Sequence, residues 1–202
     1  MNIGVLAFQG DVREHHRALA KFGVRSIDVR SIEEFERVDG LIIPGGESTV
    51  MAKFLKETGL FSRIIERAKN DHFPIYGTCA GAILLATEIL HDDSVEPMKL
   101  IDITVERNAY GRQAESFSAN ISFAVEGETK SLPAIFIRAP RIVRVGSGVT
   151  TLGMIGGEPV VCREGNIFVS TFHPELLSNS SIIHRTFVEG VKNINRTSTS
   201  MQ

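Results

Sequence analysis

Tryptophan is absent from this chain of 202 residues, and cysteine occurs only twice, at Cys79 and Cys162. The two lie far apart with no C-x-x-C pair, which argues against a disulfide framework and against a thiolate zinc site. No apolar run approaches the roughly 20 residues that span a bilayer. The stretch MNIGVLAFQGD carries no basic region, and its apolar run stops at Gln9-Gly10-Asp11, too short for a secretory leader. Neither sign of charge is in large excess: the formal net charge is −2, so no basic field points to nucleic acid or to an anionic membrane. A reduced, cytoplasmic chain is expected, in which a free cysteine becomes a candidate nucleophile.

What is present is an alternation of short apolar runs and helical stretches. Ile3 to Phe8, Val24 to Val29, Gly40 to Ile43 and Phe73 to Tyr76 read as strands buried on both faces. Between them, Asp11 opens a helix over about Val12 to Phe22 that Gly23 ends. Ser48 or Thr49 opens another, which Gly59 interrupts before a helix near Phe61 to Lys69. Ala80 to Leu90 reads as one helix. This alternation predicts an α/β fold with a parallel, doubly wound sheet. The second half changes character. Ile101 to Val105, Ser116 to Phe123, Ala134 to Ile137, Ile142 to Val145, Pro159 to Cys162 and Ile167 to Thr171 read as meander strands extending that sheet, followed by a helix over roughly Ser180 to Asn193. One domain is expected over residues 1–195, with a disordered polar tail over 196–202.

The chemistry concentrates in Gly77-Thr78-Cys79-Ala80-Gly81. Strand, Gly-x-Cys-x-Gly, helix is the cysteine version of a nucleophile elbow. Gly77 and Gly81 remove the side chains that would clash at so sharp a turn. The turn places Cys79 at a helix N-terminus, where the helix dipole favours the thiolate, and leaves the Ala80 N–H free to bind an oxyanion. The alternative is a buried cysteine in an ordinary βα turn. A nucleophilic cysteine also needs a base and a group that orients the base. Of the six histidines, His15 and His16 sit in a charged helix, His72 and His91 in polar turns, and His184 on the terminal helix. His173 instead ends the strand Ile167 to Phe172, with Glu175 two residues on, across Pro174. Glu175 can hold the ring so that its other nitrogen faces Cys79, about 95 residues earlier. Glu175 as a helix-start residue after Pro174 is the alternative.

Gly-Thr-Cys-Ala-Gly with a later Phe-His-Pro-Glu resembles the class I, triad-type glutamine amidotransferases. Leu6 to Gly10 with Val12 to His15, Pro44 to Thr49, Glu106 to Gln113 and Phe136 to Pro140 narrow the resemblance to the family of pyridoxal 5′-phosphate synthase glutaminase subunits, over Met1 to about Val191. Phe8, where an aliphatic residue is usual, and Ala82 depart from the pattern. The resemblance implies a single flavodoxin-like domain whose central, mostly parallel sheet is flanked by helices and extended by antiparallel strands. It implies hydrolysis of L-glutamine by Cys79, His173 and Glu175, under the reaction classes hydrolase and lyase. It places Gly46, Glu47, Ser48, Arg107, Ile137 and Arg138 at the glutamine, with the N–H groups of Ala80 and Gly46 as oxyanion hole. Arginine suits an α-carboxylate and Glu47 an α-ammonium. No metal and no cofactor is implied. The implied partner is a (β/α)₈-barrel synthase subunit that combines ribose 5-phosphate, glyceraldehyde 3-phosphate and the released ammonia. Docking is expected near Gln9 to His15 because that segment lies at a strand's C-terminal edge, like the active site. A subunit feeding another acceptor, a silent scaffold subunit, and a cysteine hydrolase or chaperone on the same core are the alternatives.

Overall fold

The computed structural model describes residues 1–107, 116–177 and 181–199. Most of the Arg107-to-Gln113 motif, the start of the last helix at Ser180 and residues 200–202 of the tail lie outside the described residues. The first half is β1 (Asn2–Leu6), α1 (Val12–Ala20), β2 (Arg25–Val29), α2 (Ile32–Phe35), β3 (Gly40–Ile43), α3 (Ser48–Glu57), α4 (Leu60–Asn70), β4 (Ile75–Thr78) and α5 (Ala80–Leu85). It continues with strands β5 (Ala86–Leu90), β6 (Ile101–Glu106), β7 (Ser116–Val125), β8 (Glu128–Ile137), β9 (Arg141–Val145), β10 (Thr150–Ile155), β11 (Glu158–Glu164) and β12 (Ile167–Ser170). A 3₁₀ turn over Pro174–Leu176 and helix α6 (Ser181–Thr199) complete it.

Among the described residues, nine strands form one sheet in the order β2-β1-β3-β4-β12-β11-β10-β7-β8. The first five run parallel, and the last four add antiparallel pairings. Strands β1, β3, β4 and β12 are continuous apolar runs because both their faces are covered. On β3, Leu41 and Ile43 enter one core layer and Ile42 the other; on β12, Ile167 and Val169 part from Phe168 in the same way. Each such side chain, fully removed from water, stabilises the fold by about 1.5–3 kcal/mol. The antiparallel hairpin β7–β8 closes the far edge, and Pro133 sits in β8, the edge strand, where a missing N–H is tolerated.

Several details differ from the sequence reading. Helix α5 stops at Leu85, and Ala86–Leu90 becomes β5, whose Thr87 and Ile89 are β-branched residues that favour a pleated strand. Strands β5, β6 and β9 form a separate three-stranded sheet instead of extending the main one, because β6 pairs with β5 and β9. Strand β10, interrupted by Gly153 and irregular in register, was not foreseen. Nor was α2, which Ser31 and Glu34 start with a reciprocal capping box. At the other end α6 continues past Asn193 to Thr199, so residues 196–199 are helical and not the tail expected there. Extending an existing helix needs no new nucleus.

In the order β2-β1-β3-β4-β12 the chain winds one way from β1 to β2 and the other way from β1 to β3. Loops leaving adjacent parallel strands at such a reversal part from each other and open a crevice at the strands' C-terminal edge. The segments that follow β1, β3, β4 and β12 all emerge there. They carry Gly10-Asp11, Gly45-Gly46, Cys79 and His173. Among the described residues no helix is long and apolar enough to cross a membrane.

Candidate active site

The cleft at this edge has a volume of about 500 Å³. Gly10, Asp11, Gly45, Gly46, Glu47, Ser48, Cys79, Ile83, Arg107, Ile137, Arg138 and His173 line it. Every residue that the sequence placed at the substrate therefore meets the proposed nucleophile and base in one crevice.

Cys79 follows β4 directly and has φ 48° and ψ −102°, a backbone conformation that L-residues rarely adopt. Holding it costs about 1–3 kcal/mol, which the surrounding packing must supply. The flanking glycines are steric necessities. A Cβ on Gly77 would lie 2.6 Å from the carbonyl carbon of Gly81, and one on Gly81 would lie 2.1 Å from the carbonyl oxygen of Ile43. The strained turn is anchored by the Cys79 N–H, which donates to the Ser170 carbonyl at 2.9 Å and so ties the nucleophile to β12. Ala80 opens α5, where an N–H has no acceptor within the helix. The thiol itself lies 3.7 Å from the Ile137 carbonyl, in hydrogen-bonding range for sulfur.

His173 leaves the end of β12 with its N–H bonded to the Ile135 carbonyl of β8. Its Nδ1 lies 2.8 Å from Glu175 Oε1, and its ring lines the same cleft as Cys79. Glu175 is buried within the 3₁₀ turn. A second carboxylate converges on the same ring nitrogen: Asp11 Oδ2 stands 3.2 Å from His173 Nδ1. Asp11 was expected only to start α1, yet it makes no side-chain cap hydrogen bond there. The donor atoms of Asp11, His173 and Glu175 lie within 4.8 Å of one another. Because both acids address one nitrogen, that nitrogen holds its proton between them, and the arrangement orients an imidazole.

Burial alone would pull the His173 pKa down. The hydrogen bonds and charges of Cys79 and Glu175 more than offset it and raise the value to about 10. Burial pushes the Glu175 carboxyl upward, against the pull of His173. The sign for stability follows from linkage. A histidine raised from 6.5 stabilises the fold fully below about pH 6.5, and that contribution is lost as pH rises through about 10. The urea midpoint of the chain, compared with that of His173→Asn, should therefore show an advantage at pH 6 that shrinks steadily toward pH 10.

Across the cleft, Arg107 donates to Asp92 and Ser94 through one nitrogen and to Glu47 Oε1, at 3.2 Å, through the other. The two residues expected to grip opposite charges of the substrate thus grip each other here. Glu47 also caps α3 through Thr49, and its carbonyl accepts from Gln9 Nε2 at 2.8 Å. Gly46 has φ 151°, and a Cβ there would press on the Gln9 amide nitrogen at 3.1 Å. Arg138 takes φ 43° just beyond β8.

The chain matches known proteins over most of its length. A model of the SNO glutamine amidotransferase family matches residues 5–193. The chain belongs to the SNO glutamine amidotransferase family. Among SNO-family relatives, pyridoxal 5′-phosphate synthase subunit PdxT of Thermotoga neapolitana is 50% identical over 192 residues, covering 95% of this chain and 100% of the relative. The protein of the same name from Pseudothermotoga lettingae is 48% identical over 194 residues, covering 95% and 97%. A crystal structure of a glutamine amidotransferase superposes with a TM-score of 0.87 at 42% identity, over 94% of this chain and 98% of that one. At 18% identity, a putative GMP synthase component from Thermoplasma acidophilum shares the fold with a TM-score of 0.71, over 98% of each chain. The flavodoxin-like amidotransferase architecture expected from the sequence is present. Membership in the SNO family also corrects one expectation. A glutaminase cleaves an amide with water and is a hydrolase, so the lyase class expected beside it does not apply to this chain.

Proposed function

We propose that this chain hydrolyses L-glutamine to L-glutamate and ammonia with Cys79 as nucleophile, and delivers the ammonia to a synthase subunit that makes pyridoxal 5′-phosphate. The observation that carries the chemistry is the strained Cys79 elbow sharing one cleft, at the sheet's reversal point, with a His173 that Glu175 holds at 2.8 Å. The names of the relatives support the destination of the ammonia.

In this mechanism the Cys79 sulfur attacks the side-chain amide carbon, and a carbon–sulfur bond forms. The negative charge that develops on the amide oxygen is met by the N–H groups of Ala80 and Gly46. The carbon–nitrogen bond then breaks, and His173 gives its proton to the departing ammonia. Returned to its neutral form, His173 removes a proton from water, whose oxygen attacks the thioester. Breaking the carbon–sulfur bond releases glutamate and regenerates the thiolate. Glu175 stabilises the imidazolium at each stage in which it forms. Arg107 and Glu47 part to admit the substrate's α-carboxylate and α-ammonium between them, and Ser48, Ile137 and Arg138 complete the walls. No metal and no cofactor enters these steps.

The partner we propose is a (β/α)₈-barrel subunit, in the cytoplasm, docked on the strand-end face that carries the cleft. His15 is removed from the expected docking segment because it is fully buried; Gln9 is half-buried. The test is release of glutamate from L-glutamine by this chain, with and without the synthase subunit. Release that rises when the synthase is added is expected. No release in either case would overturn the proposal.

A further inference from the structure

Behind the triad, α1 and α6 bury a pair of imidazoles that the proposed mechanism does not use. His15 and His184 are both fully buried, and His15 Nδ1 lies 3.0 Å from His184 Nε2. The other nitrogen of His15, Nε2, lies 3.4 Å from Thr78 Oγ1 and 3.6 Å from Glu175 Oε1. His15 therefore touches the residue before the nucleophile and the residue that orients the base. Glu175 Oε1 is the same oxygen that faces His173.

Burial, then the neighbouring His184, lowers the His15 pKa far below the usual value, and burial lowers that of His184 to about 4. Both rings are neutral, with one N–H each. If His15 Nδ1 carried the hydrogen, the lone pair of Nε2 would face a carboxylate oxygen. The Nδ1 of His184, which has no hydrogen-bond partner among the described residues, would then be an orphaned buried N–H. The opposite assignment puts the His15 hydrogen on Nε2, between the Thr78 hydroxyl and Glu175, and has His184 Nε2–H donate to His15 Nδ1. It leaves unpaired only an acceptor nitrogen on His184. An orphaned donor is the rarer and costlier defect, so the second assignment holds.

We propose that His15 is a positioning residue for the triad: its Nε2–H, bonded to Thr78 and directed at Glu175 from 3.6 Å, keeps Glu175 aimed at His173, and His184 fixes the tautomer that places the hydrogen there. The proposal rests on the reading of Cys79, His173 and Glu175 as a triad. A neutral donor suits this place. It favours the ionised carboxylate without adding a positive charge that would compete with the His173 imidazolium. Other groups acting on Glu175 are His173, Asp11 and Tyr76, while His16 and Lys21 bear on the histidine pair.

The experiment reads Cys79 alkylation by iodoacetamide against pH in the full chain, together with kcat and KM in the complex with the synthase. His15→Leu removes the donor. Glu175 then ionises less readily, the imidazolium is less stabilised, and the alkylation midpoint moves to higher pH. A fall in kcat of about tenfold is expected with KM nearly unchanged, since the loss acts on charge that develops during reaction. His15→Gln keeps an N–H at nearly the same place and should restore both. A folded His15→Leu chain with an unmoved midpoint would overturn the proposal, as would a His15→Gln chain no better than His15→Leu. If His15→Leu does not fold, His184→Leu, which frees the tautomer, should move the midpoint upward by less, and no movement there would also overturn it. Glu175→Gln separates the two levels. If that variant leaves the midpoint in place, the triad reading fails; if it moves the midpoint and the His15 variants do not, only this inference fails.

Discussion

Cys79→Ala is expected to lower glutamate release by at least about 10⁴-fold, which corresponds to more than 5 kcal/mol of transition-state stabilisation. No other group can replace the sulfur. The second cysteine, Cys162, is fully buried on β11, and burial pushes its thiol up to about 11, far from a reactive state. Water attacking without a covalent intermediate would meet the same oxyanion donors but no thioester, leaving only the residual acceleration that binding and the oxyanion hole provide. The fold should survive. Cys79 is 6% exposed, and its loss removes one sulfur atom next to an open cleft, so the cavity left behind is hydrated and inexpensive. The variant's circular dichroism should match the parent. Near-normal glutamate release from a folded Cys79→Ala chain would remove Cys79 from the mechanism.

Gly45→Ala should press a methyl group directly against the proposed base. Its Cβ would lie 2.3 Å from His173 Cε1 and 3.0 Å from Nδ1. Nothing approaches a real Cβ so closely, so either the ring or the loop must move. If the ring moves, its 2.8 Å contact to Glu175 lengthens and the imidazole shifts within the cleft that holds Cys79. If the loop moves, it carries Gly46 and Glu47 away from the cleft. A displacement of about 1 Å in either case costs roughly 100-fold in kcat. Overpacking should also lower stability by about 1–3 kcal/mol. Glutamate release and a urea titration of the same preparation check both parts. Unchanged kcat would mean that His173 tolerates a new position and that its placement is not what limits the reaction.

The Gly45 case shows how the sequence was informative and where it stopped. Pro44-Gly45-Gly46 announced a turn with close backbone approach, but which surface would approach was a matter of tertiary structure. Gly46 faces the Gln9 amide, whereas Gly45 faces the imidazole. The parallel strands were legible because burial on both faces makes them unbroken apolar runs. The elbow was legible because glycines two residues on either side of a cysteine have a steric meaning. His-Pro-Glu was legible because the residues that must meet are two apart. What escaped was set by distant pairing. Nothing local in Thr87-Glu88-Ile89 says that α5 must stop at Leu85; β6, some way along the chain, decides it. Asp11 was read by its position before a helix, yet its carboxylate crosses to His173. Two signals for the histidine pair were present but unused. Asp11 and His15 are four apart, hence on one face of α1. His184 stands in register with Phe187, Val188 and Val191, the buried stripe of α6, and a histidine on an apolar stripe is inside the protein.

The strand that delivers His173 lies mid-sheet, beside β4, although it is the last of the described strands to be synthesised. While a ribosome makes this chain, the Cys79 elbow emerges long before its base, and the edge of β4 has no neighbour on that side. An open edge of buried apolar residues is a template for pairing with other chains. The contact between His15 and His184 spans 169 residues and closes later still. A nascent chain that has not yet delivered β12 therefore lacks His173 and leaves the β4 edge open to misassembly. For the same reason fragments truncated before β12 should accumulate as aggregates instead of weakly active enzyme.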